Sequence, residues 1–214
     1  MTAALQVTAT GHASFGTRTP RLLPANGEPV DLAGHLGLHG DIPYRGGPRM
    51  LIQTIEDAGL TGRGGAAFPT HRKLTAVADQ KREPVVVGNG AEGEPASDKD
   101  KSLLWSSPHL VLDGLQLAAE AVGAKAVHLY LHRQPVLVRR LESALAQRAS
   151  AGLDRIKVGL VTAPPRFLAG EESALVSRIE GGPALPRFAM PRMFERGVNG
   201  APTLVQNVET LAHL

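Results

Sequence analysis

Two short stretches hold most of the residue types that bind polar ligands. Gly62-Arg63-Gly64-Gly65-Ala66-Ala67-Phe68-Pro69-Thr70 is a glycine-rich loop carrying one fixed cation. Glycine lets the backbone approach an anion and point N–H groups at it. Arg63 adds a forked cation that matches phosphate, and the helix expected to start at Pro69 adds a favourable dipole. Asn89-Gly90-Ala91-Glu92-Gly93-Glu94-Pro95 presents two carboxylates beside an amide. Carboxylates accept hydrogen bonds from ribose hydroxyls or ring N–H groups. Together the two stretches describe a site for a phosphorylated, nucleotide-like cofactor.

Plainer readings stay open for each stretch taken alone: a helix-to-helix connector for the first, an acidic solvated loop for the second. Gly88-Asn89-Gly90-Ala91-Glu92-Gly93 is also a literal G-x-G-x-x-G after an apolar run. It is not read as a dinucleotide fingerprint, because Glu92 and Glu94 would face a pyrophosphate with like charge. Pro95, Asp98 and Asp100 then continue an acidic loop instead of an apolar helix. Gly170-Glu171-Glu172-Ser173 puts two acids at a helix start, where the macrodipole favours them. One of them would reach into a ligand crevice, and a carboxylate on a ribose 2′-hydroxyl would repel a 2′-phosphate. Val205-Gln206-Asn207-Val208-Glu209-Thr210 could bind a phosphate at a helix start, or be capped by Thr203 with no ligand. Of the eight histidines, none forms a pair four apart on an expected helix; His35 and His39 have that spacing but lie in glycine-rich sequence.

The elements that must position these groups follow from the pattern. Residues 1–47 are rich in Gly, Pro, Thr and His and read as an irregular N-terminal arm. Residues 48–214 read as one domain. Leu51, Ile52, Ile55 and Ala58 fit a short amphipathic helix closed by Gly59. A second helix runs from Pro69 to about Gln80. A strand at 84–87, a helix at 108–123, a strand at 126–131, a helix at 135–150 with a basic outer face (Arg139, Arg140, Arg148), a strand at 156–162 and a helix at 170–180 then alternate. That order implies an α/β fold, a Rossmann-like parallel sheet with flanking helices and right-handed crossovers. The ligand should lie outside the carboxyl ends of its strands. Residues 181–200 read as a loop, and Pro202 opens a last helix. A chain stopping within that helix reads as a domain truncated before further segments.

The formal charge of +3 is mixed along the chain, with no basic block interleaved with aromatics, so a nucleic-acid partner is not expected. There are no cysteines, so this chain offers no thiolate to zinc or an iron–sulfur cluster, and no metal site is expected. No signal peptide or membrane span is legible. The reading is a cytoplasmic chain.

The four motifs, in this order and spacing, resemble the flavin-binding 51 kDa type subunit of bacterial NADH–quinone oxidoreductase (respiratory complex I), a type shared with NAD-reducing hydrogenases. The resemblance covers about residues 50–214. It implies FMN held in a Rossmann-like domain. Gly62, Arg63, Gly64, Gly65 and Lys73 would hold the phosphate side. Asn89 and Glu92 would line the ribityl chain and isoalloxazine. Phe167, Gly170, Glu171 and Glu172 would complete that wall, and Val205, Gln206, Asn207 and Thr210 match a second phosphate-side segment. Phe68, Glu94 and Glu172 match NADH-contacting positions, with Glu172 the discriminator against NADPH. The implied activity is hydride transfer from NAD(H) to FMN, with electrons leaving through an iron–sulfur cluster on a partner subunit or a missing segment. The implied location is the cytoplasm, peripheral at the inner face of the cell membrane through a complex.

The departures bear on NADH more than on FMN. Ala91 stands where the family usually has an aspartate, and Gln206 where it has an asparagine. Ala76 and Arg192 fall at aromatic positions that sandwich the NADH adenine; arginine can stack on a base, alanine cannot. The ubiquitin-like and four-cysteine segments of the family are not in this sequence. A non-catalytic or truncated flavin-domain protein with an assembly or binding role therefore stands as the alternative.

Overall fold

The computed structural model describes residues 22–93, 97–164, 166–186 and 192–214, with Phe167 described by its backbone only. Four strands form one parallel sheet: β1 (Val85–Gly90), β2 (Ala126–His132), β3 (Val158–Ala163) and β4 (Thr203–Asn207), in the order β3-β2-β1-β4. The α/β parallel architecture expected from the sequence is present. Helices α1 (Leu32–His39), α2 (Pro48–Asp57), α3 (Thr70–Ala78), α4 (Lys99–Ser106), α5 (Pro108–Val122), α6 (Pro135–Ala151), α7 (Glu172–Ile179) and α8 (Val208–Leu211) surround it.

Both faces of the sheet are covered, which is why its strands are apolar runs and not alternating ones. Val86, Leu129 and Leu204 pack into the larger core with Leu74, Leu104, Leu112, Leu115, Leu141 and Leu211. Their neighbours Val85, Val87, Tyr130 and Val205 face the opposite cluster, closed by Leu175 and Val176 of α7. Helix α5 has proline at its first turn and Gly123 left-handed at its end (φ 71°), the usual punctuation of a buried crossover helix.

Several expectations are corrected. The segment after Pro202 is a strand first: Thr203–Asn207 pairs with Val85–Asn89, and only Val208–Leu211 is helical. Leu204 and Val205 are buried on opposite faces, so the run is apolar because the strand is central, not because it is one face of a helix. Gly88, Asn89 and Gly90 lie inside β1, beyond the strand expected to end at residue 87. A Cβ on Gly88 would sit 3.0 Å from Leu211 and one on Gly90 2.8 Å from Leu104, so both glycines serve helix packing.

Asp100 is not in a loop but in α4, where Leu103 and Leu104 share its buried face. Residues 32–39, expected irregular, form α1, capped by the Asp31 carboxylate on the Gly34 N–H at 2.8 Å. His35 and His39 therefore do sit one turn apart on a helix, with ring centroids 5.0 Å apart. Arg148 is not on a basic outer face: it is 0% exposed and bonded to Asp113 and Asp154 at 2.7 and 2.8 Å.

Candidate cofactor cleft

The strand order reverses direction between β1 and β4, and in open α/β sheets the ligand crevice lies at that point, outside the carboxyl ends. A cleft of about 520 Å³ lies there. Its walls are Arg63, Gly64 and Gly65 from the glycine loop, and Asn89, Ala91, Glu92 and Gly93 leaving β1. Lys99 and Asp100 of α4, Leu168, Gly170 and Glu171 before α7, and Asn207 ending β4 complete it.

The glycine loop is closed on itself before it meets anything else. The Gly62 N–H donates to the Phe68 carbonyl at 2.8 Å and the Thr70 N–H to the Leu60 carbonyl at 2.9 Å. Gly65 at φ 121° and Ala67 at φ 48° make the turn between them. The loop rests on the β4–α8 junction. The Arg63 N–H donates to the Thr210 hydroxyl at 2.8 Å. A Cβ on Gly64 would stand 3.2 Å from the Asn207 Cβ.

On the opposite wall the Asn89 amide donates to the Gly170 carbonyl at 2.8 Å and accepts from the Ala91 N–H at 3.1 Å. A Cβ on Gly170 would lie 2.1 Å from the Ala91 carbonyl oxygen, so only glycine fits. Glu171 lines the cleft but spends one oxygen on α7, accepting from the N–H groups of Ser173 and Ala174 at 2.9 and 3.1 Å. The carbonyl of Glu92 is within 3.0 Å of His132 Nε2, whose Nδ1 is 3.2 Å from the Pro164 carbonyl, so one imidazole spans the two loops. Glu92 accepts the Ser97 hydroxyl on one carboxylate oxygen; the other, Oε2, is buried with no partner among the described residues. An unpaired buried carboxylate oxygen is costly. Here it borders a cleft lined with donors.

Lys99 and Asp100 are the functional candidates that the sequence reading missed. Asp100 is 2% exposed. Its carboxylate takes the Lys99 ammonium at 2.5 Å and the Asn207 amide at 2.7 Å. Lys99 continues to Glu209 at 3.2 Å. Burial raises the Asp100 carboxyl above its ordinary range, opposed by Lys99 and Asn207 and reinforced by the nearby Glu92. Burial alone would depress the Lys99 ammonium, but its bonds to Asp100 and Glu209 outweigh that and leave it raised. The legible signal was spacing: Asp100, Leu103 and Leu104 fall at i, i+3 and i+4, on one helix face.

The remaining expected residues are not among the described residues that line the cleft. Gly62 anchors the loop. Thr210 is 0% exposed and works beneath it, as the acceptor for Arg63. Val205 faces the smaller core cluster and Gln206 is 5% exposed in β4; neither lines the cleft. Lys73 and Glu172 are paired with each other at 2.7 Å, joining α3 to α7. Phe68 is 53% exposed on the glycine loop. Ala76 and Arg192 are not among the lining residues. Glu94 and the Phe167 side chain lie outside the described residues. Leu168, beside Phe167, gives the cleft an apolar side chain.

Known proteins are similar to this chain over most of its length. An NADH-quinone oxidoreductase subunit of Rhizobium meliloti (strain 1021) is 32% identical over 178 residues, covering 77% of this chain and 42% of that protein. Its counterpart in Rhodobacter capsulatus, also an NADH-quinone oxidoreductase subunit, is 33% identical over 178 residues, covering 78% and 41%. The crystal structure of an NAD+-reducing [NiFe]-hydrogenase in the H2-reduced state superposes with a TM-score of 0.74 at 38% identity, covering 78% of this chain and 30% of that one. The chain thus spans about two-fifths of the length of the curated relatives. Residues 55–214 match the Nuo51 FMN-binding domain, and the chain belongs to that family.

Proposed function

We propose that the cleft binds FMN and that this chain is the flavin and NADH module of an NADH dehydrogenase. The observation that carries the reading is the cleft at the β1/β4 switch point, with a glycine loop and Arg63 on one wall and Asn89 and Glu92 on the other. These residues fit the group. Gly64 and Gly65 let a phosphate approach backbone N–H groups, and Arg63 supplies the charge. Glu92, on the cleft wall, offers a carboxylate to a ribityl hydroxyl or a ring N–H. Gly170 permits close approach, and Leu168 offers an apolar surface to the ring.

When bound, FMN supplies acceptance of a hydride from NADH. The protein then has to bind, orient and exclude water, and no side chain need move a proton for the hydride itself. Phe68, exposed on the glycine loop, together with Glu94 and Glu172, is assigned to the nicotinamide nucleotide. Electrons leave to an iron–sulfur partner subunit, within a complex peripheral to the inner face of the membrane. No described helix is long and apolar enough to cross a membrane.

A second reading, flavin binding without NADH turnover, is favoured by one observation: Lys73 and Glu172 are spent on each other. The experiment that separates the two is a flavin spectrum of the FMN-reconstituted chain before and after anaerobic NADH. Bleaching of the oxidised-flavin band supports the enzyme; bound but unbleached flavin supports the second reading. Failure to retain any flavin overturns both.

A further inference from the structure

We propose that Asp100 is a positioning residue for the cofactor cleft: it locks Asn207, and through the β4–α8 junction it sets the glycine loop in place for the phosphate of FMN. The inference rests on the flavin reading above and assigns a role to a residue that no motif singled out.

The glycine loop has two supports outside itself, and both come from one junction. Thr210 accepts the Arg63 N–H at 2.8 Å, and Asn207 packs under Gly64 so closely that a Cβ there would be 3.2 Å away. Asn207 is in turn fully specified. Its Oδ1 caps α8 by accepting the Glu209 N–H at 2.9 Å, which directs its Nδ2 to Asp100 at 2.7 Å. One amide proton goes to Asp100, and the second remains on a side chain that lines the cleft. Asp100 therefore holds the Asn207 amide in the orientation that the α8 cap selects.

The arrangement is costly as packing. Asp100 is 2% exposed, and burying a carboxylate costs free energy that its partners must offset. What the carboxylate adds is geometry: it takes two donors from different elements, Lys99 on its own helix and Asn207 on β4. Lys99 ties the same junction a second time, through Glu209 at 3.2 Å. Helix α4 and the β4–α8 junction, on which the glycine loop rests, are thereby held to one reference point. Positioning groups of this kind act through the residues that touch the ligand.

The test compares FMN with riboflavin, which has the same ring and ribityl chain but no phosphate. Kd is measured for both by flavin fluorescence quenching on the full chain. Asp100→Ala should weaken FMN at least tenfold and riboflavin less than twofold, because only the phosphate end depends on the loop. Equal losses for both flavins would assign Asp100 a merely structural role, and no loss for either would remove it from the site; each overturns the proposal. Lys101→Met, on the same helix but outside the cleft lining, where it pairs with Asp98, should keep the preference for FMN over riboflavin within threefold of wild type. If Asp100→Ala does not fold, Asp100→Ser, whose hydroxyl is too short to reach Asn207, carries the same comparison. A wild-type chain that binds neither flavin overturns the flavin reading and this role with it. A wild-type chain that binds FMN beside an Asp100→Ala of unchanged preference overturns only the role of Asp100.

Discussion

Two polar networks in this fold, each built on a buried aspartate, use the same chemistry to different ends. One lies where α1, α5 and α6 meet. There Arg148 donates to Asp113 at 2.7 Å, to Asp154 at 2.9 Å and to the His109 carbonyl at 3.2 Å, while His35 bonds the other Asp113 oxygen at 2.7 Å. The adjoining cavity is about 30 Å³, room for about one water. The second is the cleft network of Asp100, Lys99, Asn207 and Glu209, beside an opening of about 520 Å³. Each network borders an unpaired atom, but the atoms differ. His109 Nδ1 belongs to an imidazole that burial, the largest cause, and then the nearby Arg148 and His35 push down to about 4, so it is neutral. Glu92 Oε2 belongs to a carboxylate, whose unpaired burial costs more. The closed network holds the chain together; the open one borders the cleft.

The largest expected effect breaks the closed network. Arg148→Met leaves Asp113 and Asp154 as buried carboxylates without their cation, which should cost about 3–5 kcal/mol of stability. Urea unfolding measures it. The FMN to riboflavin affinity ratio of whatever remains folded should not move, since no bond joins Arg148 to the cleft. A loss under about 1 kcal/mol would show that the network is not closed as drawn.

Arg63→Ala acts on the other side of the comparison. Arg63 is exposed, so its removal should change the unfolding free energy by less than about 0.5 kcal/mol. FMN retention should fall by about 1.5–3 kcal/mol, the worth of a charge-assisted hydrogen bond to phosphate. Undiminished flavin content after dialysis would count against the phosphate role.

Acid separates the networks by sign. His109 has a folded pKa of about 4, below its unfolded value of 6.5. Between those values the unfolded chain binds a proton that the folded chain refuses, so stability falls as pH drops from 6.5 towards 4, by at most about 1.4 kcal/mol per pH unit. Asp100 has the opposite sign: its folded pKa is raised from 3.8, so stability falls as pH rises just above that value. His109→Gln should flatten the decline below pH 6.5, and Asp100→Asn should leave it. A His109→Gln variant with the wild-type slope would assign the acid sensitivity elsewhere.

What was legible in the sequence was what local chemistry specifies. Proline at the start and glycine at the end made α5 and α6 readable, and the glycine loop announced a close backbone approach. Three things were not legible, for one reason: tertiary partners overrode the local signal. Thr203–Asn207 is a strand because both its faces are covered, which periodicity cannot distinguish from a buried helix. Asp100 and Arg148 read as solvated charges because their partners are 107 and 35 positions away in sequence, Asn207 and Asp113. His35 joined a helix because residues 28–46 are pinned along α5, with the Tyr44 hydroxyl donating to Gln116 at 3.2 Å and the Arg45 N–H to Glu120 at 2.8 Å. The cleft motifs were visible as residue types; which of them line the cleft, and which brace it from behind, required the sheet order.

Glu172 belongs to neither network, and the smallest expected stability effect follows. Its pair with Lys73 is part-exposed, with side chains 43% and 32% accessible, so Glu172→Ala should cost about 0.2–1 kcal/mol. Its effect on nucleotide choice should be larger. In the paired state Lys73 neutralises the carboxylate that would repel a 2′-phosphate. Deleting Glu172 removes the repulsion and frees the cation, so NADPH should gain on NADH. Deleting the cation instead, in Lys73→Met, exposes the carboxylate and should sharpen the preference for NADH. The two variants must therefore move the NADH to NADPH affinity ratio in opposite directions. A shift in the same direction, or none in either, would place the 2′-hydroxyl away from Glu172 and leave the pair as a strut between α3 and α7.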